Sequence, residues 1–115
     1  MISTITKRAD FIYLKRNGKR IKSNLLKVVY AKYLLDNKGT KVAYIASKKS
    51  VGNAVKRNKA KRRLRSLVRE YSSIIPNNYL LLFIASSKTY CINYQLLKNE
   101  LLNCLERINR VNNSL

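Results

Sequence analysis

The sequence predicts a single α+β domain over residues 1–115, its elements in the order α-β-β-α-β-α and packed as a two-layer sandwich on a small sheet. Three patterns predict it. Ala60, Leu64, Leu67, Val68 and Tyr71 fall on one stripe at helical spacing, as in an amphipathic helix. Residues 24–35 and 41–47 show the β-branched, aromatic composition of strands and flank "DNKG", a hairpin-like turn. "YLLLFIA" at 79–85 is apolar on both faces, which suits a strand in the middle of a sheet.

The elements follow in chain order. "TKRADFIYLKRNG" reads as a short helix, with Thr6 as a possible N-cap, Gly18 as the stop, and Ala9, Ile12, Tyr13 and Arg16 at helical spacing. In the strand that follows, Lys27, Val29, Ala31 and Tyr33 share one face, while Leu26, Val28 and Tyr30 share the other. "KVAYIAS" is the returning strand. Gly52 and Asn53 open the next helix, with Asn53 as its cap. "SIIPNN" ends that helix ahead of the apolar strand. "NYQLLKNELLNCLERINR" closes the chain as a helix, with Tyr94, Leu97, Leu101, Leu105 and Ile108 on its apolar stripe.

Charge sets the function class. The 25 basic and 5 acidic residues leave a net charge of +20, and no acid lies between Asp36 and Glu70. A compact chain so charged repels itself, so an anionic partner is expected. With 46% hydrophobic residues the chain is nevertheless apolar enough to fold. No apolar run approaches the roughly 18 residues of a membrane span, and the polar start lacks the core of a signal peptide. Cys91 and Cys104, without any His, make no zinc site and read as reduced thiols of a cytoplasmic protein.

The same census argues against protein-based bond chemistry. A general base or a carboxylate cluster holding a metal is the usual minimum for a nuclease. This chain has no His, and its five acids are scattered over different elements. Gly52 stands alone, without the glycines of a phosphate loop. No catalytic residue and no metal ligand is therefore expected.

The stretch "SKKSVGNAVKRNKAKRRLR", residues 47–65, carries nine Lys or Arg among nineteen residues and no acid. A solvated basic face would normally carry Glu partners at i,i+4, and these are missing. Cations in this density on one face suit phosphates and the release of their counterions. Phe11 beside cations on the first helix, and Tyr33 on the face of Lys27, suit unstacked bases of single-stranded RNA.

Here the residues become familiar. Lys48, Lys49, Gly52, Asn53, Arg57, Asn58, Lys61, Arg62 and Arg65 closely resemble the signature of the bacterial ribonuclease P protein subunit. Asp10, Phe11, Gly18 and the strand "YLLLFIA" resemble the rest of that family in the right order. Lys59 departs from it, standing where the signature has an arginine and losing the bidentate fork. Lys15 stands where a second aromatic is frequent, and Leu80 and Ser86 where an Asp and an Arg are common.

The resemblance implies a noncatalytic subunit of a ribonucleoprotein that removes the 5′ leader of precursor tRNA. Catalysis would belong to the RNA subunit and its Mg²⁺. It implies that Lys48, Lys49, Asn53, Arg57, Asn58, Lys59, Lys61, Arg62, Arg65 and Arg69 face the catalytic RNA. Phe11, Lys15, Lys27, Val29 and Tyr33 would line the leader cleft. It further implies a left-handed β-α-β crossover, where general rules draw a right-handed one, and a monomer bound one per RNA. Two other readings share the charge. A small ribosomal protein would more often carry extended basic tails, and a membrane-surface helix would need Leu64, Leu67 and Tyr71 free to face lipid.

Overall fold

The structure, a computed structural model, describes residues 2–32 and 39–113, with side chains described as far as 111. Its elements are β1 (Ile2–Thr4), α1 (Arg8–Asn17), β2 (Lys19–Lys22), β3 (Leu26–Lys32), β4 (Thr40–Ile45), α2 (Ala54–Glu70), β5 (Tyr79–Ala85) and α3 (Tyr94–Asn113), with a short 3₁₀ turn at Ser72–Ile74. The five strands form one mixed sheet in the order β1-β4-β5-β3-β2. The β3/β5 and β2/β3 pairs are antiparallel, while β4/β5 and β1/β4 are parallel. The α+β class holds, and β4, α2 and β5 form the expected β-α-β unit.

The apolar strand β5 sits in the centre of the sheet, as its two-sided apolar sequence requires. One of its faces, with Leu81 and Phe83, joins Val28 of β3 and Val42 of β4 under α2 and α3. On the helices the stripe Ala60, Leu64, Leu67 and Val68 meets Leu97, Leu101, Leu105 and Ile108, all essentially without solvent contact. The other face, with Leu80, packs with Val29, Ala31 and Ala43 against Leu14 of α1. Because α1 lies opposite α2 and α3, it adds a third layer over part of the two-layer sandwich.

Two short strands extend the expected element order. β1 and β2 are three and four residues long and lie at the two edges of the sheet. The turn from β2 into β3 is made by Ser23, whose hydroxyl oxygen accepts the N–H groups of Leu25 at 3.1 Å and Leu26 at 3.2 Å.

The first helix departs from expectation at its cap and at its buried face. Lys7, not Thr6, occupies the N-cap position, and no side chain caps it. Leu14 is the buried residue of α1, whereas Ala9 and Arg16 are exposed and Ile12 is 43% exposed. A ten-residue helix laid across a sheet touches it along one narrow line, and here that line runs through Phe11 and Leu14. Gly18 stops the helix as expected, but with an ordinary φ of −71°. Its glycine is dictated by space: a Cβ there would lie 2.3 Å from the Leu14 carbonyl oxygen and 2.7 Å from Val29 Cγ1. On α3, Tyr94 is 39% exposed and does not join the buried stripe. Tyr33 and the turn residues 36–38 lie outside the described residues.

Candidate RNA-binding surfaces

The start of α2 is built by its own sequence. Gly52 has φ of +121°, a conformation that side-chain-bearing residues rarely adopt. Asn53 then caps the helix, its side-chain oxygen accepting the Lys56 N–H at 3.0 Å. With the apolar stripe committed to the sheet, Asn58, Lys59, Arg62, Arg65 and Arg69 are left exposed. Lys61 and Arg57 are half-buried at the margins, and Lys48, Lys49 and Asn53 are exposed around the helix start. All ten residues expected to face the catalytic RNA therefore lie on α2 or on the segment that leads into it.

Their electrostatic setting is uniform. The nearest acid on α2, Glu70, pairs with Lys98 of α3 at 2.8 Å. The other ion pair among the described residues joins Lys41 to Asp10 at 3.7 Å. Neither neutralises the outward face of α2. Several of the cations are instead held on rings: Arg65 lies 5.4 Å from the Tyr44 ring centroid and Lys56 5.3 Å from that of Tyr90. Tyr44 is backed in turn by Phe83, stacked at 5.7 Å. Such contacts orient a guanidinium without removing its charge.

Arg63 differs from its neighbours. It turns inward and donates to the carbonyls of Thr89 at 2.8 Å and Ile92 at 2.6 Å, with its guanidinium over the Tyr94 ring. Thr89 is fully buried and donates from its hydroxyl to the Leu25 carbonyl. Arg63 therefore ties α2 to the segment joining β5 to α3. Helical spacing puts it at the edge of the apolar stripe, where Arg62 lies off it, but nothing in the sequence names the partners of Arg63.

The second surface is the face of the sheet that α1 only partly covers. Strand register arranges it in rows, because paired residues point to the same side. Arg20, Val29, Leu82 and Ala43 form one row, and Lys22, Lys27, Ile84 and Ile45 form the next. Leu14 covers part of the first row. The second stays open, with Lys22 exposed and Ile45 39% exposed. Phe11 and Ile84 pack against the same small core under α1, and Lys15 is exposed one turn beyond Phe11. At the end of the rows a cavity of about 580 Å³ opens between Lys22, Lys27, Ser50, Ile84 and Ser87.

Of the expected leader residues, Lys27 lines this cavity, Phe11 and Val29 belong to the small core under α1, and Lys15 is exposed on α1. Arg20 and Lys22 belong to the same face and escape the sequence reading, because "KRIK" alone does not announce a strand. Leu82 and Ile84 complete it, as alternation along the apolar strand could have told.

Among the described residues no group of three His, Cys, Asp or Glu side chains could hold a metal ion. Both cysteines are free. Burial pushes the Cys104 thiol up to about 11, with Glu100 adding to the rise and Arg107 opposing it, so the thiol is neutral at pH 7. No helix among the described residues is long and apolar enough to cross a membrane.

The fold and these two surfaces define a small α+β protein whose cations are gathered on one helix and on one open sheet face. The family profile for ribonuclease P matches residues 2–109. The ribonuclease P protein component of Nitratiruptor sp. is 31% identical over 110 residues, covering 95% of this chain and 94% of that one. The corresponding Thermotoga maritima protein is 28% identical over 105 residues, covering 88% of this chain. The solved structure of the Thermotoga maritima protein superposes with a TM-score of 0.77 at 25% identity, covering 90% of this chain and 96% of that one. That of the Staphylococcus aureus RNase P protein gives 0.76 at 26% identity, covering 91% and 94%. The chain belongs to the ribonuclease P protein family, and so to the protein components of a tRNA-processing ribonuclease.

Proposed function

We propose that the chain is the noncatalytic protein subunit of a bacterial ribonuclease P, acting in the cytoplasm as a monomer bound one per RNA. Its α2 face binds the catalytic RNA. The open sheet face beside α1 takes the 5′ leader of precursor tRNA, and cleavage is carried out by the RNA with its Mg²⁺. The observation that carries this reading is the exposed row Asn58, Lys59, Arg62, Arg65 and Arg69, whose one acid on the same helix is turned to Lys98. An acid-free basic face of this kind gathers phosphates.

The test is reconstitution. The chain added to a ribonuclease P RNA at low Mg²⁺ is expected to restore cleavage of precursor tRNA, while the chain alone, stripped of RNA, cuts nothing. Metal-dependent cleavage by RNA-free protein would refute the assignment of catalysis to the RNA.

The cleft has its own expected result. Stacking of a base on an aromatic ring is worth roughly 1–3 kcal/mol when the ring is removed. Phe11→Ala should weaken binding of precursor tRNA to the reconstituted complex by that amount and spare mature tRNA, which lacks a leader. Equal loss for both substrates would make Phe11 a packing residue only. Tyr33→Ala, at the other expected ring, is measured in the same assay.

A further inference from the structure

A cavity of about 290 Å³ lies where the N-terminal strand meets the last turns of α2. Val42 and Val68, both buried, give it an apolar floor. Its cationic wall is Arg65 and Arg69, one helical turn apart. The Arg65 guanidinium is pinned over the Tyr44 ring, and that ring is backed by Phe83. A ring contact leaves the N–H groups of a guanidinium available to an anionic partner. Both arginines act on the Tyr44 hydroxyl, lowering its pKa against a larger rise from burial, so the two charges converge on this spot. Glu70, the adjacent acid, is bound to Lys98 on α3.

The facing walls carry hydroxyls. Register places Thr4 beside Val42, so the Thr4 side chain lies on the α2 side of the sheet. Ser72 begins the 3₁₀ turn that follows α2. Both line the cavity, both are exposed, and neither hydroxyl is bonded to another described residue. A hydroxyl both donates and accepts, which is the complement of a sugar hydroxyl. Guanidinium forks complement phosphate. The volume sits at the small end of the range for small-molecule sites and is far too small for a duplex.

We propose that this cavity is a ribonucleotide site: one unpaired nucleotide of the RNA lying along α2 places its phosphate between Arg65 and Arg69 and its ribose hydroxyls on Thr4 and Ser72. The proposal rests on the reading of α2 as an RNA face and goes further, since it assigns the N-terminal strand a part in binding. The 2′-hydroxyl is what separates RNA from DNA at such a site, so this corner of the protein selects RNA where the open face of α2 reads charge alone.

The experiment is an NMR titration of the full chain, held folded by trimethylamine N-oxide, a neutral osmolyte. The ligands are AMP, 2′-deoxy-AMP and inorganic phosphate. AMP is expected to shift the amides of Thr4, Arg69 and Ser72 and to bind about 2- to 10-fold more tightly than 2′-deoxy-AMP, the range of one or two hydrogen bonds. The double variant Thr4→Val/Ser72→Ala should bind AMP only as well as the deoxy form, at unchanged deoxy affinity. Arg69→Ala should weaken both. Equal binding of AMP and 2′-deoxy-AMP by the unaltered chain overturns the proposal, as do AMP shifts confined to other residues. Inorganic phosphate moving the same amides as strongly as AMP would show an anion site without a sugar subsite, and overturns it too. Precursor-tRNA cleavage by the unaltered chain with its RNA is read alongside. Its failure strikes the reading of α2, whereas its success with equal AMP and deoxy-AMP binding strikes the ribonucleotide site alone.

Discussion

Replacing Arg62 and Arg65 together by alanine is expected to weaken binding to ribonuclease P RNA by about 2–4 kcal/mol, roughly 30- to 1,000-fold. Each arginine that neutralises a phosphate releases counterions, so the slope of log affinity against log salt should fall by about 2 for the pair. Arg65 should carry the larger share. Its guanidinium is already oriented on Tyr44, so less side-chain freedom is lost on binding, whereas Arg62 is exposed and held by no ring contact. The measurement is affinity for the RNA across a salt series. An unchanged affinity and slope would remove α2 from the interface.

Two neighbours on the same helix serve as controls, because they sit on its inner side. Leu64 is fully buried, and Leu64→Ala should lower stability by about 2–5 kcal/mol through a core cavity. Arg63→Ala removes two donors from carbonyls beside the buried Thr89 and should also act on stability, by roughly 2–4 kcal/mol. Neither should change the salt slope in the fraction that remains folded. Consecutive arginines at 62 and 63 are thus expected to separate, the exposed Arg62 acting on RNA affinity and Arg63 on the fold.

How much of this was legible in the chain follows from length and pairing. The strands with apolar, β-branched residues, β3 to β5, announce themselves because each must satisfy a buried face. β1 and β2 are short edge strands of sequence "IST" and "KRIK", and only their neighbours' hydrogen bonds make them strands. Missing β2 hid Arg20 and Lys22 from the open face. The stripe on α2 was readable since its apolar residues stand out in a 17-residue helix whose other positions are mostly charged, while the ten residues of α1 mix apolar and charged side chains on every face and do not choose between Ile12 and Leu14. Alternation correctly put Lys27 and Val29 on one face, but it could not say that α1 would cover Val29 and leave Lys27 at the cavity. Helical spacing places Arg63 at the edge of the apolar stripe but cannot name its partners, which are main-chain carbonyls 26 and 29 residues away.

The isolated protein is expected to be partly unfolded in dilute, low-salt buffer near neutral pH, and to fold when a multivalent anion is added. Its net charge is +20 on 115 residues, and the described part has a radius of gyration of 13.5 Å. Many like charges therefore lie within a few Debye lengths of one another. Folding brings them together, and the margin it works against is only about 5–15 kcal/mol for a typical domain. Ion pairs give little relief, since the two among the described residues engage only Lys41 and Lys98. The ring contacts of Arg65 and Lys56 orient cations but leave their charge in place. An anion that binds the folded face and not the open chain stabilises by mass action, about 2.7 kcal/mol for each site at a hundredfold excess over its dissociation constant. Sulfate, phosphate or a short oligonucleotide should therefore restore the helices at concentrations far below those needed for screening. Chloride at matched ionic strength is the control, because it screens but bridges few sites. Circular dichroism against anion concentration reads the result. Full helicity at low ionic strength, with no gain from sulfate over chloride, would mean that the core around Leu64, Leu67, Leu81 and Phe83 outweighs the bare charge, so that RNA binding adds affinity without driving the fold.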